Sequence, residues 1–267
     1  MFEHVPGIDV AGIRIAFQRE GDGPPLVLIH GAVCDSRVWR PQIEALSDEF
    51  TVVAWDAPGC GQSADPPESF RLPEYGNALA GFIAALGLQP AHVLGHSFGG
   101  ALALELVRSH PETVATLILV GGYAGWKGSL PRAEVERRLA FALDAADRLP
   151  GGFDSESMPG LFSAKLSPAA ALSLRTIMSE SRPVATRAMA HALADADLRD
   201  ALPRIGVSTL LLFGDADERS PLTVARDLHR RIPKSSLVVL PGLGHECNLE
   251  DPDRFNSEVR TFLLAHL

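Results

Sequence analysis

Residues 95–99 have the sequence G-H-S-F-G, which combines the residue types and spacing of a turn that exposes a nucleophile. The turn follows a short apolar run at residues 91–94 that predicts a buried strand. It precedes an alanine- and leucine-rich run at residues 101–108 that predicts a helix. Because glycine has no Cβ, the chain can turn sharply with Ser97 at its apex. A strand, this turn and a helix in succession predict an exposed Ser97 Oγ.

A serine nucleophile needs a base, and the sequence contains nine histidines. His245 is the candidate, because it ends the segment P-G-L-G-H directly after an apolar run at residues 236–240. A strand end at that point can deliver the imidazole to the serine. His30 follows another predicted strand, and we expect it to order its loop rather than to titrate during catalysis.

An acid must orient the base, and the segment G-D-A-D at residues 214–217 offers two aspartates. Asp217 lies deeper in the loop than Asp215, and we therefore predict that Asp217 reaches His245 Nδ1. Asp215 is closer to the strand end and is expected to bond loop amides. The predicted acid lies between Ser97 and His245 in chain order, as this strand-turn-helix architecture requires.

Asp56 is a further aspartate that follows a predicted strand, in the segment D-A-P-G-C-G-Q-S. It precedes Ser97 in the chain, which is the wrong order for the acid of this architecture. We interpret Asp56 as a structural residue whose carboxylate bonds loop amides. The G-x-G pair that follows lacks a third glycine and an acidic residue downstream, so it does not indicate a dinucleotide site.

Two N–H donors are needed to hold the oxyanion that forms when a serine attacks a carbonyl. Phe98 follows the nucleophile directly and offers one of them. The other is expected in the loop after the apolar run at residues 25–29, where Gly31-Ala32 lets the backbone turn an amide toward the substrate.

Apolar runs and helical patterns alternate along the chain, which predicts a doubly wound parallel sheet. Residues 13–20 alternate apolar and polar side chains, as expected for an antiparallel edge strand. The other predicted strands are 25–29, 51–55, 91–94, 114–120, 207–213 and 236–240. The predicted helices are 38–46, 72–86, 101–108, 221–231 and 251–267. In the helix 221–231, Pro221 is the predicted first residue and Ser220 the predicted cap.

No strand is predicted between residues 120 and 207, and helices are predicted at 131–149, 168–180 and 183–194. A single crossover connection is shorter than this interval. The pattern predicts a helical cap at residues 125–196, inserted after the sixth core strand. Residues 1–124 and 197–267 then form the core domain.

Composition narrows the classes of protein that remain. The chain has 267 residues, of which 46% are hydrophobic and 21% charged, as is usual for a folded protein with a sizeable core. The net charge of −9 argues against nucleic acid or an anionic membrane as a partner. The three cysteines have no zinc, redox or disulfide spacing.

The N-terminal segment has no pattern typical of a secretory signal, and no apolar run is long enough to cross a membrane. We therefore expect a cytoplasmic protein. Arginine greatly outnumbers lysine and alanine is abundant, which is typical of proteins from GC-rich bacterial genomes.

From about residue 13 onward, the chain resembles the α/β-hydrolase fold superfamily in its single-domain branch with a helical cap. The motifs that carry the resemblance are His30-Gly31, the turn at 56–63, the turn at 95–99, the loop at 214–217 and Gly244-His245. The resemblance implies a mostly parallel sheet of eight strands. It further implies Ser97 as nucleophile, Asp217 as acid, His245 as base, and the amides of Ala32 and Phe98 as oxyanion hole.

Within the superfamily, Ser97 argues against haloalkane dehalogenases and epoxide hydrolases, which use an aspartate nucleophile. Carbon–carbon bond hydrolases often carry asparagine before the serine, whereas this chain has His96. The chain is most similar to small bacterial carboxylesterases and enol-lactonases. We therefore expect a hydrolase of a small ester, lactone or thioester, acting through an acyl-enzyme. The alternatives are a carbon–carbon bond hydrolase with the same triad and a catalytically silent binding protein.

The predicted partner is a small-molecule ester or lactone, with no nucleic acid and no membrane, and the oligomeric state is open between monomer and homodimer. The triad needs no metal or organic cofactor. Apolar residues that could line a pocket, although each is expected to pack the cap onto the core, are Tyr123, Trp126, Phe141, Phe153, Met158, Leu161 and Phe162. Basic residues that we expect to be solvated, unless one holds a substrate carboxylate, are Arg138, Lys165, Arg175 and Arg182.

Overall fold

One sheet of eight strands organises the part of the chain that the computed structural model describes, which is residues 5–148, 160, 161, 163 and 165–267. The strand order is β1-β2-β4-β3-β5-β6-β7-β8. The strands are β1 Gly7–Val10, β2 Ile13–Glu20, β3 Pro25–Ile29, β4 Thr51–Trp55, β5 Ala91–His96, β6 Val114–Val120, β7 Ser208–Gly214 and β8 Ser235–Leu240. β2 pairs antiparallel with β1 and β4, and the other neighbouring pairs are parallel. The predicted mostly parallel sheet of eight strands is confirmed.

The prediction that β2 is an edge strand is wrong. β1 covers it, with Gly7 opposite Ala16 and Val10 opposite Ile13. β1 has four residues, of which Val10 alone is buried, so it lacks the repeated alternation that marks a half-buried strand.

Helices cover both faces of the sheet, because successive side chains of a strand point to opposite faces. The helices are α1 Arg40–Leu46, α2 Leu72–Ala85, α3 Phe98–Ser109, α4 Trp126–Ser129, α5 Arg132–Arg148, α6 Pro168–Ser179, α7 Pro183–Asp195, α8 Leu222–Arg231, α9 Cys247–Glu250 and α10 Pro252–Leu264. Val27 of β3 enters a core with α2, α3 and α8, whereas its neighbour Leu28 enters a second core with α1 and α10.

Five predicted helix starts differ from the structure by one to three residues, and two of these differences have local causes. α8 begins at Leu222, because Pro221 has the extended backbone of a capping residue. Ser220 is therefore not the cap; it is buried, and its Oγ donates to the Gly122 carbonyl at 3.1 Å. α1 begins at Arg40, after a short 3₁₀ turn over Ser36–Trp39 that Asp35 caps through the Arg37 amide.

Among the described residues between β6 and β7, the chain forms four helices, α4 to α7. α7 contacts both α4 and α5 and also packs on α2 and α3. Residues 149–152 of the predicted cap and the pocket candidates Phe153, Met158 and Phe162 lie outside the described residues. The division of the chain into a core and a cap stays a prediction. None of the helices described combines the length and the apolar character needed to cross a membrane.

Candidate active site

The turn at Ser97 connects β5, which ends at His96, with α3, which begins at Phe98. Ser97 has φ 53° and ψ −110°, a sparsely populated conformation that costs about 1–3 kcal/mol. The two flanking residues are glycines because backbone atoms approach them closely. A Cβ on Gly95 would lie 2.2 Å from the carbonyl oxygen of Gly99, and a Cβ on Gly99 would lie 2.2 Å from the carbonyl oxygen of Ile29. Ser97 is partly exposed between buried neighbours.

His245 and Asp217 form a buried pair, with Nδ1 and Oδ2 2.9 Å apart. The other carboxylate oxygen, Oδ1, accepts from the amides of Arg219 and Ser220, each at 2.8 Å. Burial alone would raise the pKa of the Asp217 carboxyl, but the charge and hydrogen bond of His245, together with the two amides, hold that pKa below its usual value. A charged Asp217 fixes the ring so that Nδ1–H is the donor.

Gly121, directly after β6, makes room for this pair. Its φ is +51°, and a Cβ there would lie 3.1 Å from His245 Nδ1 and 3.2 Å from Asp217 Oδ2. Both the conformation and the space therefore favour glycine. The sequence analysis did not single out this residue, because a glycine after a strand is common in any fold.

Ser97 and His245 line the same small cavity, of about 40 Å³, together with Gly31 and Ala32. The structure thus brings together the predicted nucleophile, the predicted base and the predicted oxyanion loop. Phe98 is the first residue of α3, so the helix supplies no carbonyl for its N–H.

His30 anchors the loop that carries Ala32. Its Nδ1–H donates to the Gly31 carbonyl at 2.7 Å, and its Nε2 accepts from the Ala57 amide at 3.0 Å. Burial lowers the pKa of His30, although the Gly31 carbonyl and nearby aspartates oppose this effect. A neutral imidazole therefore connects the loops after β3 and β4, as expected for an ordering role.

The two other aspartates that the sequence offered have structural contacts. Asp56 is buried and accepts from the amides of Ser36 at 2.8 Å and Gln62 at 2.9 Å. Asp215 is exposed and accepts from the amide of Gly242. Neither contact involves His245, which is bonded to Asp217.

His96 lies beside His245, with ring centroids 4.8 Å apart. Its Nε2–H donates to the His245 carbonyl at 2.9 Å, and burial lowers the pKa of His96 to about 4. A neutral His96 therefore holds the backbone of the candidate base. From the sequence, His96 served only as an argument against a carbon–carbon bond hydrolase, and its contact with the His245 carbonyl was not predicted.

Glu246 is a second residue that the sequence analysis missed. Its side chain is buried and lines the 40 Å³ cavity next to His245. Burial raises the pKa of the Glu246 carboxyl to about 7. The charges of His245 and Arg219 lower this pKa and those of Glu250 and Asp217 raise it, so the effects of the charges partly cancel. Its position directly after the candidate base was the signal that could have drawn attention to it.

His96, His245 and Glu246 place possible metal-ligand atoms within 4.8 Å of one another. However, His96 Nε2 already donates to a carbonyl and His245 Nδ1 is held by Asp217. The carboxylate of Asp217 thus leaves Nε2 of His245 as the nitrogen that can accept a proton, which is the arrangement of a catalytic base.

A second cavity of about 200 Å³ adjoins the first and lies among α4, α5, α7 and the loop after β7. The two cavities share Ala32, Val33, Trp126, Leu193 and Arg219. Of the apolar candidates within the described residues, Trp126 lines both cavities, Phe141 the larger one, and Tyr123 and Leu161 the smaller one.

The expectation that Arg138 is solvated is wrong. Its side chain is buried against the rings of Tyr123 and Trp126, and it donates to Glu134 at 2.6 Å and to the Arg219 carbonyl at 2.9 Å. Arg138 thus fixes the backbone beside the cavities. Arg182 is only partly exposed and donates to the Ser63 carbonyl at 2.6 Å while pairing with Asp65.

The chain belongs to the alpha/beta hydrolase family, whose model matches residues 26–258. The candidate carbamate hydrolase RutD of Cronobacter turicensis is 30% identical over 264 residues, which cover 95% of this chain and 96% of that protein. A thermophilic esterase from Thermogutta terrifontis, solved with malate bound, is 29% identical with a TM-score of 0.90, covering 99% of this chain and 100% of the other.

The enol-lactonase from Burkholderia xenovorans LB400 is 26% identical with a TM-score of 0.80, covering 97% of this chain and 100% of the other. The family and these relatives support a hydrolase activity. The relatives' names differ in the bond that is cleaved.

Proposed function

We propose that the protein hydrolyses a small carboxylic ester or lactone through an acyl-enzyme, with Ser97 as nucleophile, His245 as base and Asp217 as acid. One observation carries the proposal: His245, whose Nδ1 lies 2.9 Å from the buried carboxylate of Asp217, lines the same small cavity as the serine of the turn. A serine, an oriented imidazole and a buried carboxylate are the parts that nucleophilic acyl transfer requires.

In the first half-reaction, Ser97 Oγ attacks the carbonyl carbon while His245 Nε2 takes the hydroxyl proton. Asp217 stabilises the imidazolium that forms, since its charge lies next to Nδ1–H. The amides of Ala32 and Phe98 hold the negative oxygen of the tetrahedral intermediate. The carbon–oxygen bond to the leaving group then breaks, and His245 gives its proton to the departing alkoxide.

In the second half-reaction, His245 activates a water molecule that attacks the acyl-enzyme. The same amides stabilise the second tetrahedral intermediate, and Ser97 Oγ leaves with a proton from His245. An ester yields separate acid and alcohol, whereas a lactone yields one hydroxy acid. The relatives named as an esterase and an enol-lactonase support this class of bond.

A carbamate is a second candidate substrate, because a relative named as a candidate carbamate hydrolase matches nearly the whole chain at 30% identity. A carbamate presents a carbonyl carbon to the same nucleophile. Its nitrogen donates electrons into the carbonyl and lowers its reactivity, so the same residues would act more slowly on an otherwise similar substrate.

The test measures turnover of 4-nitrophenyl acetate and butyrate, and labelling by a fluorophosphonate, with wild type, Ser97→Ala and the exposed control Ser257→Ala. Turnover and labelling that Ser97→Ala alone abolishes are expected. Labelling without turnover would direct the search to lactones and carbamates. A folded protein with neither labelling nor turnover would contradict the proposal and favour the binding protein.

A further inference from the structure

Glu246 places a carboxyl group beside the candidate nucleophile and base. The residue is 4% exposed, and its side chain lines the cavity of about 40 Å³ that Ser97 and His245 also line. Buried polar groups in folded proteins are nearly always hydrogen-bonded, so a buried carboxyl in the wall of a reactive cavity is a candidate partner for a group that binds there.

The groups that face Glu246 come from several elements. His96 and His245 have ring nitrogens within 4.8 Å of a carboxyl oxygen of Glu246. Burial and the carboxylates of Glu250 and Asp217 raise the pKa of Glu246, whereas His245 and Arg219 lower it, with a result of about 7. Burial raises the pKa of the Cys34 and Cys247 thiols, and the charge of Glu246 adds to this effect.

The protonation state decides what Glu246 can do in the cavity. Below about pH 7 the carboxyl is largely protonated and offers one O–H donor. Above that pH it is a carboxylate, which accepts hydrogen bonds and repels other acceptors. The group therefore changes from donor to acceptor near neutral pH.

We propose that Glu246 determines specificity: its carboxyl group, in the wall of the cavity that Ser97 lines, hydrogen-bonds a second oxygen of the substrate close to the scissile carbonyl. The substrate class is then an ester or lactone that carries an ether, keto or carboxylate oxygen near the reacting bond. The inference rests on the proposed function, because it concerns the substrate that Ser97 attacks.

The size and lining of the cavity support this assignment. Ser97 and Glu246 line the same cavity of about 40 Å³, so a group that binds at Ser97 is placed near the Glu246 carboxyl. The lining is otherwise largely apolar, with Val33, Trp126, Leu161, Met178 and Leu193. An all-carbon substituent would leave the carboxyl unpaired, and sites built to hydrogen-bond a substrate group discriminate strongly against analogues that lack it.

The test compares 4-nitrophenyl methoxyacetate with 4-nitrophenyl butyrate, which differ by an oxygen in place of one CH₂. Each kcat/KM is divided by the rate of the same ester with hydroxide, because the ether oxygen activates the carbonyl. We expect wild type to prefer methoxyacetate by about 10-fold at pH 6, the worth of one hydrogen bond. The preference should disappear by pH 8.5, and effects of His245 cancel in the ratio.

Two variants and a control identify the donor. Glu246→Gln should keep the preference at both pH values, because the amide donates at any pH, and Glu246→Leu should lose it at both. Glu258→Gln, a carboxyl on α10 away from the cavity, should retain the wild-type ratio and its pH dependence. If the leucine variant does not fold, wild type and Glu246→Gln still give the decisive pH comparison.

The inference is overturned if wild type shows no preference, if the ratio does not change with pH, or if Glu246→Leu keeps it. An equal loss of kcat for both esters in Glu246→Leu would also overturn it, because the carboxyl would then act through His245. Hydrolysis that needs Ser97 but shows no effect of Glu246 contradicts this inference alone. Absence of any Ser97-dependent turnover contradicts the proposed function as well.

Discussion

Asp215 and Asp217 are separated by one residue, yet the fold gives them different surroundings. Asp217 is buried and bonded to His245 and to two amides, whereas Asp215 is exposed and bonded to the Gly242 amide. Both aspartates contact the segment that follows β8, Asp215 at Gly242 and Asp217 at His245. The difference between them is therefore burial, because Asp215 lies at the exposed side of this segment and Asp217 at its buried side.

Asp217→Asn should lower kcat for 4-nitrophenyl butyrate by about 10⁴-fold while the protein stays folded. Asparagine carries no charge to stabilise the imidazolium and can hold the ring in the wrong tautomer. The measurement is kcat with burst titration of active serine. Asp215→Asn is the matched control, with activity expected within a few-fold of wild type. Similar losses in both variants would show that Asp217 has no special role.

At the scale of elements, β5, α3 and the loop after β3 meet at the turn of Ser97. Gly99 in the first turn of α3 packs against the backbone of Ile29 at the end of β3. His30 then connects the same loop to the segment after β4. The three strand ends therefore hold the nucleophile and the oxyanion loop at a fixed separation.

Gly99→Ala should destabilise the protein by about 1–3 kcal/mol and reduce activity, since close-packed sites tolerate added atoms poorly. The new Cβ would lie 2.2 Å from a backbone oxygen, which cannot move as a flexible side chain can. At an exposed position inside a helix, the same change stabilises by about 1 kcal/mol. The measurement is urea unfolding together with kcat/KM.

Gly206→Ala is the control for Gly99→Ala, because a Cβ at Gly206 would meet no atom within 4 Å. The Gly206→Ala substitution should change the free energy of unfolding by no more than about 0.5 kcal/mol in either direction, as most surface substitutions do. A neutral or stabilising Gly99→Ala would mean that the turn can relax, and that the close approach of α3 to β3 is not required.

At the scale of the whole molecule, two buried titratable groups, His96 and Glu246, make the free energy of unfolding depend on pH in opposite directions. His96 has its pKa lowered from 6.5 to about 4, so its contribution to stability is present above pH 6.5 and is lost as pH falls through 4. Glu246 has its pKa raised from 4.5 to about 7, so its contribution is present below pH 4.5 and is lost as pH rises through 7. The two contributions nearly cancel between pH 5 and 7.

Removing either group should expose the effect of the other. In Glu246→Gln the free energy of unfolding should fall by about 2 kcal/mol more than in wild type when the pH drops from 7 to 5. In His96→Asn the free energy of unfolding should rise by about 2 kcal/mol relative to wild type over the same drop from pH 7 to 5. Urea unfolding at both pH values measures this. If the free energy of unfolding changes with pH in both variants as it does in wild type, the shifted pKa values of His96 and Glu246 are contradicted.

The sequence by itself determined the elements whose cause is local. The bounds of β3, β4 and β6 were predicted residue for residue, because buried parallel strands are continuous apolar runs between polar turns. The turn at Ser97 was predictable for the same reason: its glycines and serine act within five residues of chain.

Only the tertiary structure decided the surroundings of the candidate site. β1 was missed because a short, mostly exposed strand exists only through its pairing with β2. The contact of His96 with the His245 carbonyl joins residues 149 positions apart, and the contact of Arg138 with the Arg219 carbonyl joins residues 81 positions apart. Burial of Glu246 beside His245 likewise depends on packing. Local patterns identify which side chains can react, whereas long-range packing determines their charge and their partners.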